Sequence, residues 1–228
     1  MKKRSKRYRS LLKAETKGKK LSTKEILELV KNSSNLKFDE SVDVSLKVNM
    51  KQSKGGDFSL RTVIKLPNGS GKKERIAVLC EPEKIEEAKK SGAEVFGSDD
   101  LIEKIAAGKL NFTKLICTPS MMGKIGKHGK VLGPKGLMPN PKLGTVSNDI
   151  SKAVKDFKTG LVEIRNDKVG NLASTIWRKS YKTEILLENY NYFIDSIKKE
   201  RTDTIKGEFI KNTFISSTMG ISYKVGAK

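Results

Sequence analysis

The only histidine of this 228-residue chain, His128, stands in Gly126-Lys127-His128-Gly129-Lys130. A histidine used as a general base needs a carboxylate or an equivalent group to orient its ring, and from Lys104 to Asn148 the sequence holds no Asp or Glu. His128 therefore reads as a phosphate or ribose neighbour, or as a merely exposed side chain, rather than as a base. The two cysteines, Cys80 and Cys117, each close an apolar run and each precede a proline by two residues, the setting of reduced core thiols. Gly69-Ser-Gly-Lys-Lys-Glu74 lacks the third glycine of a dinucleotide loop, nothing matches a Walker loop, and the segment reads as a hinge turn. With no close Cys and His cluster, and carboxylates scattered as on helix faces, no catalytic residue, metal or cofactor is expected.

Phosphate binding suits the residues better. Between Gly123 and Gly144 the lysines Lys124, Lys127, Lys130, Lys135 and Lys142 alternate with glycines that bare backbone N–H groups and prolines that fix turns. Such a surface admits a phosphate backbone at close range or docks as a shaped loop on a partner. The formal net charge is +21, and residues 1–24 carry 11 Lys and Arg against the single Glu15, so nearly half of the net charge lies in a tenth of the chain. Concentrated charge of this kind accounts for its own self-repulsion best with a polyanionic partner, and nucleic acid is the commonest. An arm of this composition is expected to add salt-dependent affinity and little discrimination.

The elements that must hold these groups follow from periodicity. A hydrophobic content of 36% over 228 residues is enough for one large or two modest domains. No run approaches 18 apolar residues, and the basic N-terminus lacks the apolar segment of a signal peptide, so a soluble compartment without membrane attachment is expected. Ser22 and Glu25 have capping-box spacing before Ile26, Leu27, Leu29 and Val30, predicting a helix to about Lys31. Val42 to Met50 alternates with period two as a half-buried strand, and Leu60 to Leu66 reads as its partner across the loop Lys51 to Phe58. Pro67 to Gly71 is a turn.

In the middle of the chain, Ile76–Cys80, Val95-Phe96 and Leu115–Cys117 are short apolar runs separated by helices. These helices are expected to begin at Pro82, at a Ser98 cap and at an Asn148 cap, the pattern of a parallel α/β layer. Alternation returns at Val162 and Ile164, turns at Asn166 to Gly170, and comes back through Leu172 to Trp177. A helix from about Glu184 and a strand from Phe209 to Ser217 complete the order. Half-buried sheet on both sides of a parallel α/β block implies one domain inserted in another.

Five blocks in this order, Lys37 to Val44 (KFDESVDV), Leu66 to Gly71 (LPNGSG), Leu132 to Val146 (LGPKGLMPNPKLGTV), Val162 to Gly170 (VEIRNDKVG) and Ile215 to Gly220 (ISSTMG), resemble the signature segments of the ribosomal protein L-one family, colinear from about Leu21 to Gly220. The resemblance implies an α/β protein: a basic arm at 1–20, a discontinuous mixed α+β RNA-binding domain at 21–67 and 160–228, and an inserted Rossmann-like three-layer domain at 68–159. It implies a non-enzymatic component of the large ribosomal subunit, a monomer before assembly, that binds the rRNA of the mobile side stalk near the exit side for deacylated tRNA. The setting is the bacterial cytoplasm or an organelle, mitochondrion or plastid. Bacterial members also bind their own messenger RNA and repress its translation.

The positions that match the family's RNA contacts are Lys37, Phe38, Glu40 and Ser41, then Arg165, Asp167 and Lys168, then Ser217, Thr218, Met219 and Gly220. Their chemistry suits folded RNA: cations for phosphates, hydroxyls for the 2′-OH, carboxylates for base amino groups or a neighbouring cation. The sequence departs from the family at Ser53 to Asp57 and at Ile221-Ser222-Tyr223.

Overall fold

The computed structural model describes residues 5–13, 21–33, 36–50, 60–72, 74–203, 205 and 207–226. The loop expected from Lys51 to Phe58, the departure at Ser53 to Asp57 and most of the basic arm lie outside the described residues. Along the chain come α1 (Lys6–Lys13), α2 (Thr23–Asn32), β1 (Ser41–Val48), β2 (Arg61–Lys65), β3 (Ile76–Leu79), α3 (Ile85–Lys90), β4 (Val95–Gly97), α4 (Asp99–Ala106) and β5 (Lys114–Cys117). Then follow α5 (Met122–Gly126), α6 (Gly129–Leu132), α7 (Ile150–Lys158), β6 (Leu161–Arg165), β7 (Asn171–Arg178), α8 (Thr183–Lys199), β8 (Ile210–Ser217) and β9 (Ser222–Val225). They form two compact units, Met1–Gly71 with Val162–Lys228, and Lys72–Leu161.

The discontinuous unit is built on a four-stranded sheet of order β7-β1-β8-β9, with β1 antiparallel to both neighbours. Val42, Val44, Leu46 and Val48 are buried on one face of β1, as its alternation requires. The α2 helix starts on the expected capping box, Ser22 N–H donating to Glu25 at 2.8 Å and Glu25 N–H donating to Ser22 Oγ at 3.3 Å. The Ser22 backbone N–H, and next the Ser22 side chain, hold the Glu25 carboxyl below its ordinary value. Ile26, Leu27 and Val30 from α2 and Leu186, Tyr190, Phe193 and Ile197 from α8 close one apolar core over the sheet.

The segment 60–66 does not pair with β1. Both edges of β1 are already occupied, by β7 and β8, and β2 instead pairs with β6 in a separate two-stranded sheet. Asn166 fixes that pairing: its side-chain oxygen accepts Leu60 N–H at 2.6 Å and its own N–H donates to Leu60 O at 3.0 Å.

The inserted unit carries a parallel sheet of order β4-β3-β5. Alternate residues of its strands face opposite ways. Ala77, Leu79, Leu115 and Cys117 pack with Leu101, Ile105, Ile125 and Leu132, and Ile76, Val78 and Ile116 pack with Ala88, Ile150, Val154 and Phe157. The sheet is thus covered on both faces, which is why its strands read as continuous apolar runs. Both cysteines are buried and free, and burial pushes the Cys117 thiol up to about 12.

Two expected caps differ. Ser98 occupies the N-cap position of α4 without a side-chain capping bond, and α7 is preceded by Asp149 rather than capped by Asn148. Ser147 Oγ takes the Asp149 N–H at 3.1 Å, and the helix starts one residue later than expected.

The turn that leaves the discontinuous unit is anchored from α8. Asn189, fully buried, accepts from Asn68 N–H at 3.3 Å and donates to Gly69 O at 3.1 Å and to Ile176 O at 3.0 Å. Truncating it orphans those groups in the interior. Asn189→Ala is expected to cost roughly 1–3 kcal/mol of unfolding free energy, read from urea titrations followed by circular dichroism.

Candidate nucleic-acid interface

Because β1 runs antiparallel to β7 and β8, the start of β1 lies beside the ends of both, with Ser41 opposite Arg178 and Val42 opposite Ser217. The register therefore gathers three segments far apart in sequence. Glu40 is their centre. Its carboxylate, 1% exposed, accepts Met219 N–H at 2.9 Å and Ser217 Oγ–H at 3.2 Å on one oxygen, and pairs with Lys179 Nζ at 3.2 Å on the other. Its backbone carbonyl accepts Lys179 N–H at 2.8 Å. Beside it, Thr218 N–H donates to Ser41 O at 3.1 Å and Ser41 N–H donates to Thr218 Oγ1 at 3.0 Å.

These bonds sort the matched residues. Glu40 and Ser217 are buried and shape the turn from within, so Glu40 holds protein groups rather than offering its carboxylate to a base. Gly220 leaves no room for a side chain against Ser217 Oγ. Lys37, Phe38, Thr218 and Met219 face outward, with Phe38 and Met219 53% and 48% exposed. Large apolar side chains held at this exposure beside a lysine suit stacking on bases next to phosphates. Thr218 keeps its hydroxyl proton for an outside acceptor, since the bond from Ser41 uses only a lone pair. Phe38 also borders an open cavity of about 530 Å³ with Lys31, Leu36, Asp39, Glu40, Lys179 and Ser180.

Arg165, Asp167 and Lys168 are not part of this cluster. Arg165 ends β6, and Asp167 and Lys168 lie in the turn that follows, which meets the other end of β1, where Val48 N–H donates to Gly170 O at 2.8 Å. Seven residue steps of β1 separate the two groups, about 23 Å at the rise of a strand. All three side chains are exposed. Asp167 makes the turn itself, accepting Asn171 N–H at 2.7 Å, Val169 N–H at 2.9 Å and Asn171 Nδ2–H at 2.8 Å. Gly170, at φ +88°, is needed there because a β-carbon would meet Val48 O at 2.7 Å.

The sequence model of the ribosomal protein L1p/L10e family matches residues 29–221. The large ribosomal subunit protein uL1 of Pelagibacter ubique (strain HTCC1062) is 56% identical over 201 residues, covering 88% of this chain and 87% of that one. The proteins of the same name from Thermosipho melanesiensis (strain DSM 12029 / CIP 104789 / BI429) and Kosmotoga olearia (strain ATCC BAA-1733 / DSM 21960 / TBF 19.5.1) are 45% and 44% identical, each over 99% of this chain and 97% of its own. The chain belongs to the L1p/L10e family. It is not an enzyme.

Among the described residues no group of His, Cys, Asp or Glu could hold a metal ion, and no helix is long and apolar enough to cross a membrane. In the inserted unit the segment 123–144 is less of a loop than its glycines and prolines suggest. It winds through α5, α6 and a tight turn at Pro141–Leu143, burying Ile125, Leu132 and Leu143 while Lys124, Lys127, Lys130, Lys135 and Lys142 stay exposed. Lys124 is paired with Asp99 at 2.7 Å. Sequence reasoning missed Lys179, which follows a strand without any motif and becomes visible only through the β1–β7 register.

Two outcomes follow from this geometry. Glu40→Gln removes the negative charge that faces the Lys179 ammonium in a mostly buried setting and is expected to cost roughly 3 kcal/mol by denaturant titration, more than loss of an exposed pair would. The Asp167 carboxyl is held below its ordinary value, chiefly by Asn171 N–H and next by the Asn171 side chain. Its folded value being the lower one, its support is complete above the ordinary carboxylate range and is lost only as pH falls through the lowered value. Amide resonances of Val169 and Asn171 should hold still down to about pH 4 and move together below it.

Proposed function

We propose that this protein is a structural rRNA-binding component of the large ribosomal subunit that recognises the folded junction at the base of the side stalk. The observation that carries this reading is the turn at Thr218-Met219, held over the buried Glu40 with Lys37, Phe38, Thr218 and Met219 presented outward. Family membership supports it, as does the name of the relatives, large ribosomal subunit protein. On this reading the discontinuous unit is the RNA-binding domain and the Arg165, Asp167 and Lys168 turn touches a second part of the same RNA.

The unit Lys72–Leu161 is then the inserted Rossmann-like domain, whose exposed lysines between 124 and 142 face the stalk or deacylated tRNA leaving the ribosome. The same surface would bind a similar fold in the protein's own messenger and repress its translation, in a bacterial cytoplasm or an organelle. A rigid, prearranged surface fits a folded junction better than a duplex of arbitrary sequence.

The test is a binding titration of the full chain against a side-stalk rRNA fragment and an unrelated duplex of equal length. Strong preference for the fragment is expected. Thr218→Val should weaken fragment binding by roughly 1–3 kcal/mol with little change in salt dependence, while Thr218→Ser retains it. Equal affinity of the unaltered protein for both RNAs would reduce it to a general polyanion binder.

A further inference from the structure

Part of the basic arm is a docked helix. In α1, Tyr8, Leu11 and Leu12 fall at i, i+3 and i+4, and they pack against the apolar core of the discontinuous unit, Leu11 with 9% of its surface left exposed. Lys6 and Arg9 lie on the outward side and are exposed, and α1 contains no acidic residue. Arg7 lies on the flank between the two faces. Its Nη1 donates to the backbone carbonyl of Met219 at 3.0 Å, across 212 positions of sequence. The contact is specific in its target: Met219 N–H is held from one side by Glu40 and Met219 C=O from the other by Arg7. One guanidinium carries five N–H donors, so the bond to Met219 leaves others at the rim of the turn.

We infer that α1 is a built part of the RNA-recognition surface. Arg7 is a positioning residue that fixes the peptide groups around Met219, and Lys6 and Arg9, exposed on the outward side of the same helix, bind phosphates of the RNA seated on that turn. The inference rests on the function proposed above, and it departs from the expectation of an arm that adds charge without discrimination. Charge alone would need no fixed helix. An arm acting as tethered charge keeps its effect when undocked, whereas a docked helix loses register with the turn as soon as Arg7 or the Leu11 contact goes.

The experiment uses the full chain with the side-stalk rRNA fragment and the unrelated duplex at three salt concentrations, with melting temperature recorded for every variant. Arg7→Gln should lower the preference for the fragment about tenfold at unchanged melting temperature, and Arg7→Lys, which can still donate to the carbonyl, should recover most of it. Leu11→Gln, which undocks α1 at constant charge, should behave like Arg7→Gln; if it does not fold, the two Arg7 variants decide. Replacing Lys6 and Arg9 together by Gln should reduce the slope of log affinity against log salt on the fragment by roughly 1.4–1.8. Wild-type preference in Arg7→Gln, or an unchanged slope in the Lys6 and Arg9 variant, overturns the inference. If the unaltered protein prefers the fragment and Thr218→Val loses that preference while Arg7→Gln keeps it, only the inference fails. If the unaltered protein shows no preference, the functional reading itself has failed.

Discussion

A carboxylate removed from water at the edge of a sheet organises the outward face of this protein. Glu40 is nearly sealed, and its oxygens are met by an ammonium, a hydroxyl and a backbone N–H from segments 139 to 179 positions away. Burying an ion pair is a poor way to gain stability, since a well-packed apolar pair often does as well. What Glu40 contributes is direction. An acceptor that cannot relax into solvent sets where the Met219 N–H must lie, and the Ser41–Thr218 bonds beside it set the rest of the turn. The side chain of Met219 is exposed, while the carboxylate that fixes its N–H is sealed beneath it.

The same strand that brings this cluster together keeps the second one away. β1 has the Glu40 turn at its start and the Asp167 turn at its end, and both are anchored to it by backbone bonds. A β-strand paired on both edges cannot stretch or slip by a residue without turning its buried face outward. The distance between the two outward-facing groups is therefore a property of the sheet. On the proposed reading this separation selects for shape: an RNA must present matching features about 23 Å apart, a strand-length ruler that a single patch of lysines cannot supply.

Much of this was legible in the sequence, and the failures have physical causes. The alternation of Val42 to Val48, the capping box at Ser22 and the continuous apolar runs at Ile76 and Leu115 each determine an element locally, and each is found. Pairing is a different matter. Leu60 to Leu66 is the next strand after β1, and nearest-neighbour pairing is the natural expectation; it fails because β7 and β8, more than a hundred residues on, take both edges. For the same reason Glu40 reads in the sequence as an acceptor for base amino groups or a neighbouring cation, and its burial depends on registers that no local pattern encodes. Asp167 is the opposite case. Its role is local, three bonds within its own turn, and an Asn-Asp-x-x-Gly sequence signals such a turn directly. The β9 strand escaped notice because Ser222–Val225 is short and contains only two apolar positions, of which Tyr223 is buried.

The basic arm shows how charge and order divide the work of binding. Long-range attraction between a chain of net charge +21 and a polyanion acts whatever the arm's conformation, so attraction gives no reason for α1 to be folded. Order has a different consequence. A flexible arm loses conformational freedom on meeting RNA, and that loss subtracts from affinity for the right partner and the wrong one alike. A helix already seated through Tyr8, Leu11 and Leu12 has met that cost in the free protein, through apolar burial unrelated to RNA. Its cations then reward only an RNA whose phosphates fall where the helix already points. Coupling α1 to the Met219 carbonyl extends the logic of the buried Glu40 outward: in both, a charged group fixes a backbone atom so that the exposed side chains nearby have one geometry to offer.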